Sequence, residues 1–138
     1  MSERGYDPAN LNLPGNNGDT ALMAATREGN ATIVTDLIQA GVDLNCRNND
    51  GNNALWFACF GNHFELMQLL INAHINLDNQ NDNGATALMY AASAGKLEVV
   101  KILLTAGADR TLKNLDDFKA LDFASTIEVL QLLKHAET

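Results

Sequence analysis

Cys46, Cys59, His63 and His74 are the residues of this chain whose types could do chemistry together. By count they are a Cys2His2 set, the ligands of a tetrahedral zinc ion. Their spacing argues against that use, because no C-x2-C or similar close pair is present. A second candidate is "ASAGK", Ala92 to Lys96. A phosphate-binding loop of the Walker type would need Gly at position 90 and Ser or Thr at 97, and the chain has Tyr90 and Leu97. There is no G-x-S-x-G elbow, and His63, His74 and His135 have no nucleophile in a strained turn beside them. The expectation is no catalytic residue, no metal and no cofactor, and so no enzyme.

Charge narrows the partners. The chain has 138 residues and a formal net charge of −8. Such an acidic chain is a poor phosphate binder, since nucleic-acid affinity comes mostly from Lys and Arg. No Lys or Arg lies between Arg47 and Lys96, whereas Asp50, Glu65, Asp78 and Asp82 do. The middle should carry negative potential and steer a basic partner toward itself, or else simply hold the chain in solution. The apolar runs are too short for a membrane span, the first residues contain no apolar signal region, and two cysteines are too few for a stapled secreted scaffold. The cytosol is the expected compartment.

The elements that carry these residues repeat. "GDTALMAATREGN", "GNNALWFACFGNH" and "GATALMYAASAGK" begin at Gly18, Gly51 and Gly84, 33 residues apart. Leu22, Leu55 and Leu88 keep that spacing and Leu121 continues it, as Ala124 continues Ala25, Ala58 and Ala91. A fixed period of this size signals a repeat array. Each unit reads as a short helix, a turn near Gly29, a second helix with a broad apolar stripe, and an Asn- and Asp-rich β-turn tip such as "CRNNDG" or "NQNDNG". Thr20 and Thr86 suit helix N-caps, and Gly41 and Gly107 suit helix ends.

G-x-T-A-L-M-x-A-A-x-x-G at Gly84 to Gly95, followed by "LEVVKILLTAGAD" at Leu97 to Asp109, resembles the ankyrin repeat over about residues 10 to 134. The resemblance implies an all-α fold, an ankyrin repeat solenoid of stacked antiparallel helix pairs with projecting β-turn fingers. It also implies protein–protein binding through the concave face of fingers and first helices. The expected organisation is a flexible tail at 1–9 and a single domain at 10–138. Its repeats would lie at about 17–49, 50–82 and 83–115, with a truncated cap at 116–138.

The chain departs from the family's pattern. Ala21, Ala54, Ala87 and Ala120 stand where Pro is usual, and Met23, Trp56, Met89 and Asp122 where His is usual. The family's bracing Thr–His hydrogen bond is therefore missing. In the middle repeat Asn53 replaces Thr and His74 replaces the closing Gly, so that turn is expected to differ in shape. At the ends, "NLNLPGNNG" aligns with "DLNCRNNDG", so 10–17 reads as a first finger. Glu128 lies three residues closer to its Ala than Glu98 does, so the last interhelix turn should be trimmed. Lys134 and Asp36 stand where inner repeats are apolar, as caps require.

Four of the eight aromatic residues lie in or beside "NALWFACFGN", Asn53 to Asn62. Phe57 aligns with Ala24, Tyr90 and Phe123 and is expected in the core. Phe64 aligns with Leu97 and is expected to pack, and Cys59 aligns with the small Thr26 and Ala92. Trp56 serves either the finger base or a contact surface. Phe60 aligns with Arg27 and Ser93 on the exposed side of the first helix, where the repeat supplies no packing reason for it. It is either a contact residue or folded over Gly61, which comes one residue early. Asn49, Asp50, Asn52, Asp82, Ala85 and Ser93 would surround it, with Arg27, Tyr90 and Phe118 as further expected contacts, to give an apolar centre with an acidic and amide rim. The expected activity is that of an adaptor, inhibitor or assembly factor, monomeric when free, for a protein or peptide carrying basic and apolar residues. The alternative is a permanent subunit of a larger complex.

Overall fold

The computed structural model describes residues 12–136. The expected tail at 1–9 lies outside the described residues. Eight α-helices are found among the described residues, and no strand. They are α1 Ala21–Arg27, α2 Ala31–Gln39, α3 Ala54–Phe60, α4 Phe64–Asn72, α5 Ala87–Ser93, α6 Leu97–Ala106, α7 Ala120–Phe123 and α8 Ile127–Ala136. No described helix is long and apolar enough to cross a membrane. The chain forms two compact units, the first ending at Asn76 and the second beginning at Leu77.

Within the first unit α1 pairs with α2 and α3 with α4; the two first helices then pack on each other, as do the two second helices. The second unit repeats the arrangement with α5–α6 and α7–α8. The links between paired helices are three residues long, short enough to force an antiparallel hairpin. The period-33 apolar positions form the cores. Leu22, Ala25 and Leu37 are buried with Leu55, Ala58 and Leu70 in the first unit, and Leu88, Ala91 and Leu103 in the second. Thr20 and Thr86 cap their helices by accepting from the Met23 and Met89 N–H groups at 3.3 and 3.2 Å. Asn53 makes no such cap; its buried side chain donates to the Asn76 carbonyl at 3.1 Å.

Three of the fingers share one internal design; the first has Gly15 where they have Asn. Asn48 Oδ1 accepts from the Asp50 and Asn52 N–H groups, both at 3.0 Å, while the Gly51 N–H closes the turn on the Asn48 carbonyl at 2.9 Å. Asn81 does the same for Asn83 and Ala85, and Asn114 for Asp116 and Phe118. A second ladder joins finger bases. The side-chain oxygens of Asn12, Asn45 and Asp78, spaced by 33, accept from the N–H groups of Asp43, Asn76 and Asp109 at 2.8, 2.9 and 2.7 Å.

Two expectations about turns are corrected. His74 keeps the turn shape of its glycine equivalents, with φ 70° against 82° at Gly41 and 100° at Gly107. The Ile75 N–H still reaches the Leu70 carbonyl at 3.1 Å, as Ala108 reaches Leu103 at 3.0 Å. The last repeat is shortened in its first helix and not in the interhelix turn. α7 has four residues where α5 has seven. Ala124 leaves the helix at ψ 116°, and the Ser125 N–H and hydroxyl both donate to the Ala92 carbonyl. That bond anchors the chain to α5 where a full helix would have packed. Lys134 and Asp36 are both exposed.

Position 84 admits only glycine for two reasons. Its φ is +77°, and a Cβ there would come within 2.8 Å of the Leu115 backbone nitrogen on the next finger. Asp117 occupies the equivalent position of the last finger at φ 72°. Gly84→Ala should lower stability by about 2 kcal/mol, while Asp117→Gly and His74→Gly should each raise it by roughly 0.5–1 kcal/mol. Urea unfolding midpoints measure all three; an unchanged midpoint in Gly84→Ala would contradict the close approach.

Candidate partner-binding site

The first unit holds a cavity of about 200 Å³ between its two fingers and its first helices. Asn17, Asn48, Asp50 and Asn52 line it from the fingers, and Arg27, Trp56, Phe57 and Phe60 from α1 and α3. Local structure sets each of these. The Asn48 clamp turns the chain so that Asp50 and Asn52 follow it at the tip. The Asn49 N–H donates to the Asn17 carbonyl at 2.9 Å, tying the two fingers together, and Asn17 Nδ2 reaches Asp50 Oδ2 at 3.4 Å. Helical spacing then presents Trp56, Phe57 and Phe60 on adjoining sides of α3.

Asp19 is the anchor beneath the site. It is 4% exposed, and its carboxylate accepts from the Arg27 guanidinium and, at 2.9 Å, from Asn48 Nδ2. A buried carboxylate needs such partners. The guanidinium so held lies 4.6 Å from the centre of the Phe57 ring, a cation–π contact. One acid thus fixes both a finger, through Asn48, and the aromatic wall, through Arg27.

Of the expected site residues, Arg27, Asp50, Asn52, Trp56 and Phe60 come together at this cavity. Asn49 flanks it at the finger tip. Asp82, Tyr90, Ser93 and Phe118 belong to the second unit. There Asp82 and Ser93 are exposed and Ala85 is half-buried. Lys96 Nζ lies 5.4 Å from the Tyr90 ring centre, and Phe118 meets Phe123 edge-on at 6.0 Å between ring centres. Phe60 is 61% exposed, so it is not folded away over Gly61.

Two aromatic residues depart from expectation. Phe57 is half-buried and lines the cavity under Arg27, because its outer face is covered by a cation and not by the core. Phe64 is 45% exposed at the start of α4, whereas packing was expected. Asp19, Asn48 and Asn17 were not singled out from the sequence. The available signal was Asp19 standing where later repeats have Asn52, Ala85 and Phe118, the one acid in that column.

The metal-ligand types do not converge. Among the described residues no three of His, Cys, Asp and Glu come together as a metal site. Cys59 is fully buried in α3, and His74 is exposed at the end of α4. Cys46 lies at a finger base, where burial, then the Asp43 charge and a hydrogen bond to it, push its thiol above the ordinary value. His63 sets its ring beside Gly29 and Gly61, with Nε2 3.3 Å from the Arg27 carbonyl oxygen.

A family model described as ankyrin repeats, three copies, matches residues 22–114. The chain belongs to the ankyrin repeat family. Ankyrin repeats are generally protein–protein interaction modules and typically non-catalytic. Comparison with curated proteins gave no match.

In this ankyrin repeat protein, the two acids at the cavity have separable duties. Asp19→Ala should cost about 2 kcal/mol of stability, since it leaves the Asn48 amide and the Arg27 charge without their acceptor. The half-exposed guanidinium, which water can reach, keeps that cost below the value for a fully buried pair. Asp50→Ala, at an exposed tip, should change stability by no more than about 0.5 kcal/mol. Equal unfolding midpoints for the two variants would contradict the anchoring role.

Proposed function

We propose that this ankyrin repeat protein is a non-catalytic binding module, an adaptor, inhibitor or assembly factor acting in the cytoplasm. It holds a partner protein against its fingers and first helices. The observation that carries this reading is Phe60, a large apolar side chain 61% exposed beside a cavity walled by Trp56 and Phe57 and rimmed by amides and Asp50. Aromatic residues at the centre of an interface often supply much of its binding energy. Asn49 and Asn52 extend the rim; within the second unit, Asp82, Tyr90, Ser93 and Phe118 are separate candidate contacts. The partner surface is basic and apolar, matching the absence of Lys and Arg between positions 47 and 96.

A second reading, a permanent subunit of a larger complex, draws on Leu115 at the last finger and Ile127 at the start of α8, exposed at 76% and 64%. Size-exclusion of the native lysate separates the two: an adaptor has a free monomeric pool, and an obligate subunit does not.

Capture from the source cell's lysate tests the leading reading, using the native chain beside a Phe60→Asp, Asp82→Lys variant shown to be folded by circular dichroism. The expected result is a partner, identified by mass spectrometry, retained by the native chain and lost by the variant. Its association with the native chain should slow as salt rises. Equal recovery on both baits would move the binding site away from these residues.

A further inference from the structure

We propose that the cavity of the first unit receives an arginine side chain of the partner, its guanidinium against the Trp56 and Phe60 rings and paired with the Asp50 carboxylate. This deepens the binding reading above and rests on it. Size is the first argument. A volume of about 200 Å³ is below the roughly 300–1,000 Å³ of small-molecule sites. It equals the liquid volume of about seven waters, room for one long side chain.

Chemistry is the second argument, and the molecule contains its own precedent. Arg27 already lies over the Phe57 ring at 4.6 Å with its guanidinium on the Asp19 carboxylate. That is an aromatic face and an acid holding one guanidinium at the wall of this cavity. In the second unit Tyr90, the ring equivalent to Phe57, also lies under a cation, Lys96, which comes from its own repeat. Trp56, Phe60 and Asp50 supply the same two ingredients, ring and carboxylate, among the residues that line the cavity, with Phe60 and Asp50 exposed. Among the described residues the Asp50 carboxylate has one long bond, from Asn17 at 3.4 Å, and a carboxylate can accept further donors, including both arms of a guanidinium.

Charge selects a cation over a neutral side chain. Arg27 is neutralised by Asp19, so the wall does not repel a second guanidinium strongly. Arg47 donates Nε to the Gly51 carbonyl at 3.0 Å and does not line the cavity. Asp50 is then the charge that an incoming side chain meets. Planarity favours arginine over lysine, because a guanidinium stacks on rings and pairs in a fork while an ammonium remains a strongly hydrated point charge.

The test uses the full chain, labelled with nitrogen-15, and three probes: the N-acetyl N-methylamides of arginine, lysine and norleucine. Trp56 is the chain's single tryptophan, so its indole N–H is an unambiguous reporter. Arginine should give a saturable shift of that signal, lysine a shift with at least about threefold weaker affinity, and norleucine none. Asp50→Asn and Phe60→Ala should each weaken arginine binding about fivefold, and Asp36→Asn on α2 should leave it unchanged. No saturable shift, equal binding of norleucine, or indifference to Asp50→Asn would overturn the assignment. The outcomes are distinguishable from those of the capture experiment. A partner lost with Phe60→Asp while arginine fails to bind leaves the module reading standing and removes the arginine.

Discussion

A single amide oxygen closing on two backbone N–H groups is the constraint from which the rest of this structure follows. Asn48, Asn81 and Asn114 each hold the residues two and four positions on. These bonds replace the sheet or helix partners that a projecting turn lacks, so the backbone polar groups are satisfied at the tip. The clamp fixes where Asp50 and Asn52 stand. In the first unit its other arm, the Asn48 amide nitrogen, reaches down to Asp19 and couples the finger to Arg27 and Phe57. Geometry at the tip and geometry at the aromatic wall are therefore set together.

Much of this was legible in the sequence because periodicity reports burial directly. The column Leu22, Leu55, Leu88 and the Thr caps at 20 and 86 read correctly, since each depends on its own few neighbours. Alignment with Arg27 and Ser93 left Phe60 two places, exposed or folded over Gly61, and its 61% exposure decides between them. Phe57 and Phe64 did not read correctly, because alignment transfers position and not the identity of what covers a side chain. A cation from the first helix of the preceding repeat, Arg27 of α1, covers Phe57, and no residue between them in sequence announces it. The shortened α7 was misplaced for a related reason. The missing residues could be counted, but their location depends on Ser125 bonding back to Ala92, a contact made across 33 positions.

Strain is distributed according to what each finger must accommodate. Gly84 faces another finger and needs both its φ and its missing Cβ; Asp117 needs only the φ, and the chain tolerates a side chain there. His74 shows the same tolerance at a helix end. At Gly84 a close neighbour adds to the demand made by φ, whereas a Cβ at Gly41 or Gly107 would meet nothing within 4 Å, and φ alone favours glycine there.

The central claim is that partner contact is made from the face carrying Phe60. A photo-reactive benzoylphenylalanine placed at position 60, compared with one at position 64, tests it directly. Both native residues are exposed phenylalanines, one on α3 at the cavity and the other on α4. Irradiation in the source cell should give a partner adduct from position 60 and none from position 64. An adduct from position 64 alone would contradict the account and place the contact on the second helices.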